Sequence, residues 1–187
     1  MKNIVLLASG SGSNAENIIK YFREKNSLYN FHIITNKKDA FVLDRAKQLN
    51  VPAEVITKKQ NDEGVLLDRI NELKPDLIVL AGYLLLFPAD IVALYPNKIV
   101  NIHPALLPKF GGKGMYGSFV HDAVVANKET ETGITIHYVS EHYDEGAVIF
   151  QAKTPVAETD TALEVANKVH ELEYEHFPKV IEKLLND

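Results

Sequence analysis

Near-continuous apolar runs, separated by segments of helical period, constrain this chain more than any other feature. Residues 4–8, 77–81 and 99–102 are dominated by Val, Ile, Leu and Ala, and 31–35 reads Phe-His-Ile-Ile-Thr. A strand with one wet face alternates apolar and polar residues, whereas a strand covered on both faces does not. Between the first two runs, Ala15, Ile18, Ile19 and Phe22 share one helical face. Residues 40–50 form a second expected helix, with Val42, Ala46 and Leu49 aligned, and residues 62–73 a third, with Leu66, Ile70 and Leu73. Lys74-Pro75-Asp76 stops that helix and launches the next strand. This β-α-β-α order predicts an α/β fold: a doubly wound, mostly parallel sheet with a Rossmann-like N-terminal half.

The pattern changes after Asn101. Residues 103–117 are rich in Gly and Pro and read as a long loop, followed by a short helix over 118–127 and strands over 134–139 and 147–156. Thr161-Ala162-Leu163-Glu164 is a capping box opening a long C-terminal helix. Ala162, Val165, Ala166 and Val169 form its apolar face, continued by Val180, Ile181 and Leu184 after a break expected at Pro178. No repeat, linker or low-complexity stretch interrupts the sequence, so residues 1–187 are expected to form one domain.

Charge and composition narrow the function. A formal net charge of −5, with lysines spread along the chain, argues against nucleic-acid binding. The absence of cysteine rules out disulfides and thiolate chemistry. The apolar N-terminus meets Ser9-Gly10-Ser11-Gly12-Ser13 with no cleavage-like spacer, so it reads as a strand rather than a secretion signal. No apolar stretch approaches the ~20 residues of a spanning helix. A cytoplasmic protein acting on small molecules, without membrane or nucleic-acid partners and either monomeric or weakly homodimeric, is the expectation.

Three segments carry chemistry. Residues 9–14, Ser-Gly-Ser-Gly-Ser-Asn, lie between the first strand and the first helix, where free backbone N–H groups hold an anion. The segment lacks Gly-Lys-Ser/Thr and a third glycine, and Asn36 stands where an acidic ribose ligand would follow the second strand. A monophosphate fits it better than ATP or NAD; a ligand-free helix cap and turn fits equally well. Asn101 and His103 face one side of a strand at its carboxyl end, where open α/β sheets bind ligands. An amide beside an imidazole polarises a carbonyl and holds an oxyanion. Asp144, 41 positions downstream of His103, reads from spacing as an ordinary Asp-x-Gly turn or as the group that orients the imidazole. His137 and His142 have no tight ligand cluster around them, so no metal is expected.

Together these stretches closely resemble the folate-dependent phosphoribosylglycinamide formyltransferase family. The resemblance runs nearly end to end. It includes the 9–14 loop, Thr35-Asn36-Lys37, Asp39-Ala40-Phe41, Leu80-Ala81-Gly82-Tyr83, Asn-Ile-His-Pro-Ala-Leu-Leu-Pro-Lys-Phe at 101–110, Thr-Gly-Ile-Thr-Ile-His-Tyr-Val at 132–139 and Asp-Glu-Gly at 144–146. It implies formyl transfer from 10-formyltetrahydrofolate, a co-substrate, to the amine of glycinamide ribonucleotide in purine synthesis, with no metal. It implies Asn101, His103 and Asp144 as the catalytic trio, with His103 protonated. Gly12, Ser13 and Asn14 would bind phosphate, with Glu173 on the ribose and His170 nearby. The folate walls would be Leu84, Leu85, Leu86, Phe87 and Asn101, with Ser140, Glu141, His142, Tyr143 and Asp144.

Two departures stand out. Leu85 replaces an arginine common in the family, with Lys58 or Lys59 the nearest candidate for a second folate-binding arginine. The loop over 111–118 also differs from a shorter, His-containing one, with His121 a candidate counterpart. A formyltetrahydrofolate hydrolase would show a His-His-Ser-Phe-Leu-Pro-like sequence where this chain has His103-Pro104-Ala105. A methionyl-tRNA formyltransferase would need a C-terminal RNA-binding domain where only a helix is expected. A phosphate sensor would leave Asn101 and His103 unexplained.

Overall fold

The computed structural model describes residues 1–26 and 28–187. Its strands are β1 Lys2–Leu7, β2 Tyr29–Thr35, β3 Ala53–Val55, β4 Leu77–Leu80, β5 Ile99–His103, β6 Glu131–Tyr138 and β7 Val148–Pro155. They form one sheet of order β3-β2-β1-β4-β5-β6-β7. Strands from β3 through β5 in that order pair in parallel, while β6 and β7 add antiparallel to the β5 edge. The connection from β1 goes to one side and that from β3 crosses to the other. The topological switch therefore falls between β1 and β4, where ligand clefts form.

The apolar runs behave as doubly covered strands. In β1, Ile4 and Leu6 enter one core and Val5 and Leu7 the other; in β4, Leu77 and Val79 oppose Ile78 and Leu80. The first core packs under α1 Ser13–Glu24, α2 Val42–Gln48 and α7 Ala162–Asn186, joined by Val124 of α6 Ser118–Ala126. The second packs under α4 Val65–Leu73 and α5 Ala89–Leu94. The expected helical face of Ala15, Ile18, Ile19 and Phe22 is fully buried.

Three local expectations change. The helix expected over 62–73 starts later, as α4, because Gly64 at φ +87° makes a left-handed turn that a continuous helix cannot contain, and an unanticipated short helix, α3 Lys58–Asp62, precedes it. The edge strand β3 and the six-residue α5 were not anticipated. The break expected at Pro178 is absent, because α7 runs through it. A proline inside a helix removes the N–H that would serve the carbonyl four residues earlier. That carbonyl belongs to Tyr174, and Asn17 Nδ2 of α1 donates to it at 3.0 Å. A side chain from the neighbouring helix thus supplies the missing donor. Asn17→Ala should cost about 1 kcal/mol of stability in chemical denaturation, the usual value of one such bond; an unchanged unfolding midpoint would remove this account of the tolerated proline. The capping box at Thr161 forms in both halves, with Glu164 N donating to Thr161 Oγ1 and Thr161 N to Glu164 Oε2.

Candidate active site

The carboxyl ends of β1, β4 and β5 open into a cleft of ≈ 660 Å³. Ser9, buried at the end of β1, ties its rim together. Its N–H donates to Gly82 O at 2.9 Å, its hydroxyl donates to Asn36 Oδ1 at 2.5 Å and accepts from Leu84 N at 2.9 Å. Asn36 therefore acts as an internal brace of the rim rather than a ribose ligand.

At one end of the cleft, Gly12 sits at φ +70° and α1 begins at Ser13 with no side chain capping its first turn. Unpaired N–H groups and the positive end of the helix dipole face the cleft there, as an anion requires. Asn14 Nδ2 donates to Glu173 Oε2 at 3.0 Å, bringing α7 to the same place, while Asn14 Oδ1 is buried without a partner. Burial pushes the Glu173 carboxyl above its ordinary range, with the Asn14 bond and the nearby His170 opposing. Glu173 and His170 both line the cleft.

At its centre, Asn101 and His103 lie on one side of β5, with Val100 and Ile102 on the other, inside the first core. His103 Nε2 donates to Phe110 O at 2.7 Å, and its Nδ1 lies 3.5 Å from Asp144 Oδ2. Burial lowers the His103 pKa below the ordinary value, a drop only partly offset by Asp144 and the Phe110 carbonyl and reinforced by His137. Desolvation outweighs the carboxylate here and disfavours the charged ring, against the expectation of a protonated one.

Asp144, at φ +57°, accepts from Gly112 N at 2.9 Å. Burial alone would raise its pKa, but the interactions with His137, His103 and Gly112 N–H outweigh it and hold the group below the ordinary carboxylate range. His137 is the residue whose part in this arrangement the sequence reading missed. Its Nδ1 donates to Tyr138 O at 2.8 Å, leaving Nε2 between Asn101 Nδ2 at 3.1 Å and Asp144 Oδ1 at 3.6 Å. Alternation along β6 gives only the face of the His137 side chain; the register of β6 against β5 is what sets His137 across from Asn101.

Leu84, Leu85, Leu86 and Phe87 contribute an apolar stretch of the lining, which Ser140, His142 and Tyr143 also join. Glu141 is solvent-exposed and not part of this lining. Lys58 and Lys59 lie on α3, away from the cleft, beside Asp62 and Glu63. The only lysine or arginine among the described residues of the lining is Lys113. Among the described residues no group of His, Cys, Asp and Glu is arranged to hold a metal, and no helix is long and apolar enough to cross a membrane.

His121 of α6 also lines the cleft. Burial drives its pKa down to about 4, aided by His170 and His103 and opposed by Asp122. A histidine whose folded pKa lies below its unfolded one stabilises the fold above pH 6.5 and loses that contribution as pH falls toward 4. Allowing for solvent in the cleft, the loss is about 2 kcal/mol. Glu173, shifted the opposite way, offsets part of it as its folded form takes up a proton first. Between pH 7 and 4.5, a His121→Leu variant should therefore lose about 2 kcal/mol less stability than the parent in parallel denaturation curves. Superimposable pH profiles would contradict a ring that must charge on acidification.

On a doubly wound sheet, an amide, an imidazole and a carboxylate gathered beside an uncapped helix start make up the kind of site that group-transfer chemistry uses. The formyl transferase family model matches residues 2–181, and the chain belongs to that family. It is 36% identical over 187 residues to a phosphoribosylglycinamide formyltransferase of Haemophilus influenzae, covering 97% of this chain and 86% of that protein. Against the chloroplastic enzyme of Vigna unguiculata it is 37% identical over its whole length but spans only 62% of that relative. Its fold superposes on glycinamide ribonucleotide transformylase 1 of Symbiobacterium toebii with a TM-score of 0.90 at 30% identity, covering all of this chain and 88% of that one. The corresponding enzyme of Geobacillus kaustophilus gives 0.88 at 33%, with 99% of both chains covered.

Proposed function

We propose that this protein transfers the formyl group of 10-formyltetrahydrofolate to the amine of glycinamide ribonucleotide; its relatives are named as formyltransferases of that ribonucleotide, and the folate donor is part of the proposal. The observation that carries the reading is the convergence of Asn101, His103, His137 and Asp144 in one cleft with the uncapped start of α1. The substrate's phosphate lies on the N–H groups after Gly12, its sugar against Glu173, and its amine toward Asn101 and His103. The pterin of the donor occupies the slot lined by Leu84, Leu85, Leu86 and Phe87.

The neutral amine attacks the formyl carbon. As the carbonyl oxygen becomes an oxyanion, Asn101 donates to it, and His103 joins as a donor once its Nδ1 has taken up the proton that the attacking amine loses. The bond from carbon to the folate N10 then breaks, and the proton lost by the amine ends on N10. Asp144, ionised at neutral pH, stabilises positive charge on His103 as it develops and accepts a proton in passage between the two nitrogens. His137 accepts from Asn101 Nδ2 through its Nε2 and so fixes the amide in place.

The test mixes the protein with 10-formyltetrahydrofolate, with and without glycinamide ribonucleotide, and follows deformylated folate by absorbance. Turnover that requires the ribonucleotide is expected. Equal turnover without it means that water is the acceptor and the protein a hydrolase; none in either mixture refutes the reading.

A further inference from the structure

We infer that His121 is a substrate-binding residue, a neutral N–H donor that holds the carbonyl oxygen of the acceptor's glycinamide arm. The inference rests on the proposed function for the identity of the acceptor. His121 is 4% exposed, lines the cleft, and its Nδ1 is sealed from solvent with no hydrogen-bond partner. A neutral imidazole has one donor and one acceptor nitrogen, and burying an unpaired donor costs more than burying a spare lone pair. The proton therefore resides on Nε2, leaving that nitrogen to donate into the cleft.

Position assigns the acceptor atom. The His121 ring lies 6.5 Å from that of His170, which precedes Glu173 by one turn of α7. It also lies within electrostatic reach of His103, the residue at the transfer centre. The imidazole thus stands between the sugar wall and the reacting amine. In glycinamide ribonucleotide that interval is spanned by the amide joining the sugar to the aminomethyl group, whose exposed acceptor is its carbonyl oxygen. A donor there fixes the arm so that the amine meets the formyl carbon.

His121→Leu and His121→Gln separate this role from a structural one. Leu removes an unpartnered buried nitrogen and breaks no bond to Nδ1, so this variant is expected to melt, at pH 7, at or above the parent temperature. Its Kd for glycinamide ribonucleotide by titration calorimetry is expected to rise about tenfold, while Kd for ribose 5-phosphate, which lacks the arm, changes less than twofold. Gln, which retains an N–H donor, is expected to recover part of the loss. Equal weakening of both ligands would move His121 to the sugar or phosphate and overturn the assignment. So would unchanged ribonucleotide binding by the Leu variant, or a lowered melting temperature with no effect specific to the arm. Failure of the parent protein itself to bind the ribonucleotide would refute the proposed function, an outcome distinct from the other three.

Discussion

Replacing His103 by alanine is expected to lower kcat/KM for formyl transfer by about 10³-fold, with both KM values close to those of the parent. The size follows from what the ring does. A donor aimed at a developing oxyanion is worth about 10²–10³ in rate, and a positioned proton-transfer group a similar or larger factor. The two roles overlap in one residue, so they do not simply multiply. The effect falls on kcat because the ring's contribution grows as charge develops, while phosphate, sugar and pterin are held by other residues. A complication is that His103 is buried and donates to Phe110 O, so its removal leaves that carbonyl without its donor and costs about 1–3 kcal/mol of stability. His103→Gln keeps a donor of similar reach and distinguishes the two losses: stability should return while most of the rate does not. Asn101→Ala is expected to cost less, about 10²-fold, since it removes a donor without touching proton transfer. Parent-like turnover by the alanine variant would mean that the oxyanion is stabilised elsewhere.

Whatever depends on burial of whole segments was legible in the sequence. Two-faced strands such as β1 and β4 leave no polar alternation, and that absence identifies a covered parallel sheet before any contact is known. Capping at Thr161 and the helical face of α1 are equally local and equally readable. Features decided by a distant partner were not. Pro178 obeys the local rule that proline costs a hydrogen bond, yet the rule fails to end α7 because Asn17, 161 positions away, serves the freed carbonyl. From spacing Asp144 reads as a turn or as the group that orients His103, because no local pattern expresses its approach to His103 and His137. The protonation of His103 turned on desolvation, a property of the folded cleft and not of the motif. His137 was visible as a residue but weighed only as a metal ligand, and its pairing with Asn101 required the register between β5 and β6.

The second large effect is expected at Gly12, where Gly12→Ala should remove about 2–4 kcal/mol of stability and raise the KM for the ribonucleotide at least tenfold. Two independent costs add there. The backbone sits at φ +70°, a left-handed conformation that costs an L-residue about 1–2 kcal/mol. A Cβ would also lie 2.2 Å from Val42 Cγ2, 2.5 Å from its Cβ and 3.0 Å from its Cα. Rotation of the valine relieves only the first contact, so α2 itself must retreat. Yet α2 is fastened to the same loop, with Val42 N donating to Gly10 O at 3.1 Å and Arg45 Nε to Ser11 O at 2.7 Å. Moving α2 therefore drags the loop and turns its N–H groups away from the phosphate, which couples stability to binding at this one position. Gly10→Ala is the control: nothing lies within 4 Å of a Cβ there, so stability should change by less than about 0.5 kcal/mol. Adding Val42→Ala to Gly12→Ala should recover only part of the loss, because the alanine keeps the Cβ at 2.5 Å and the φ cost is untouched. If Gly12→Ala instead melted and bound the ribonucleotide like the parent, the packing of α2 against this turn would not be what shapes the anion site.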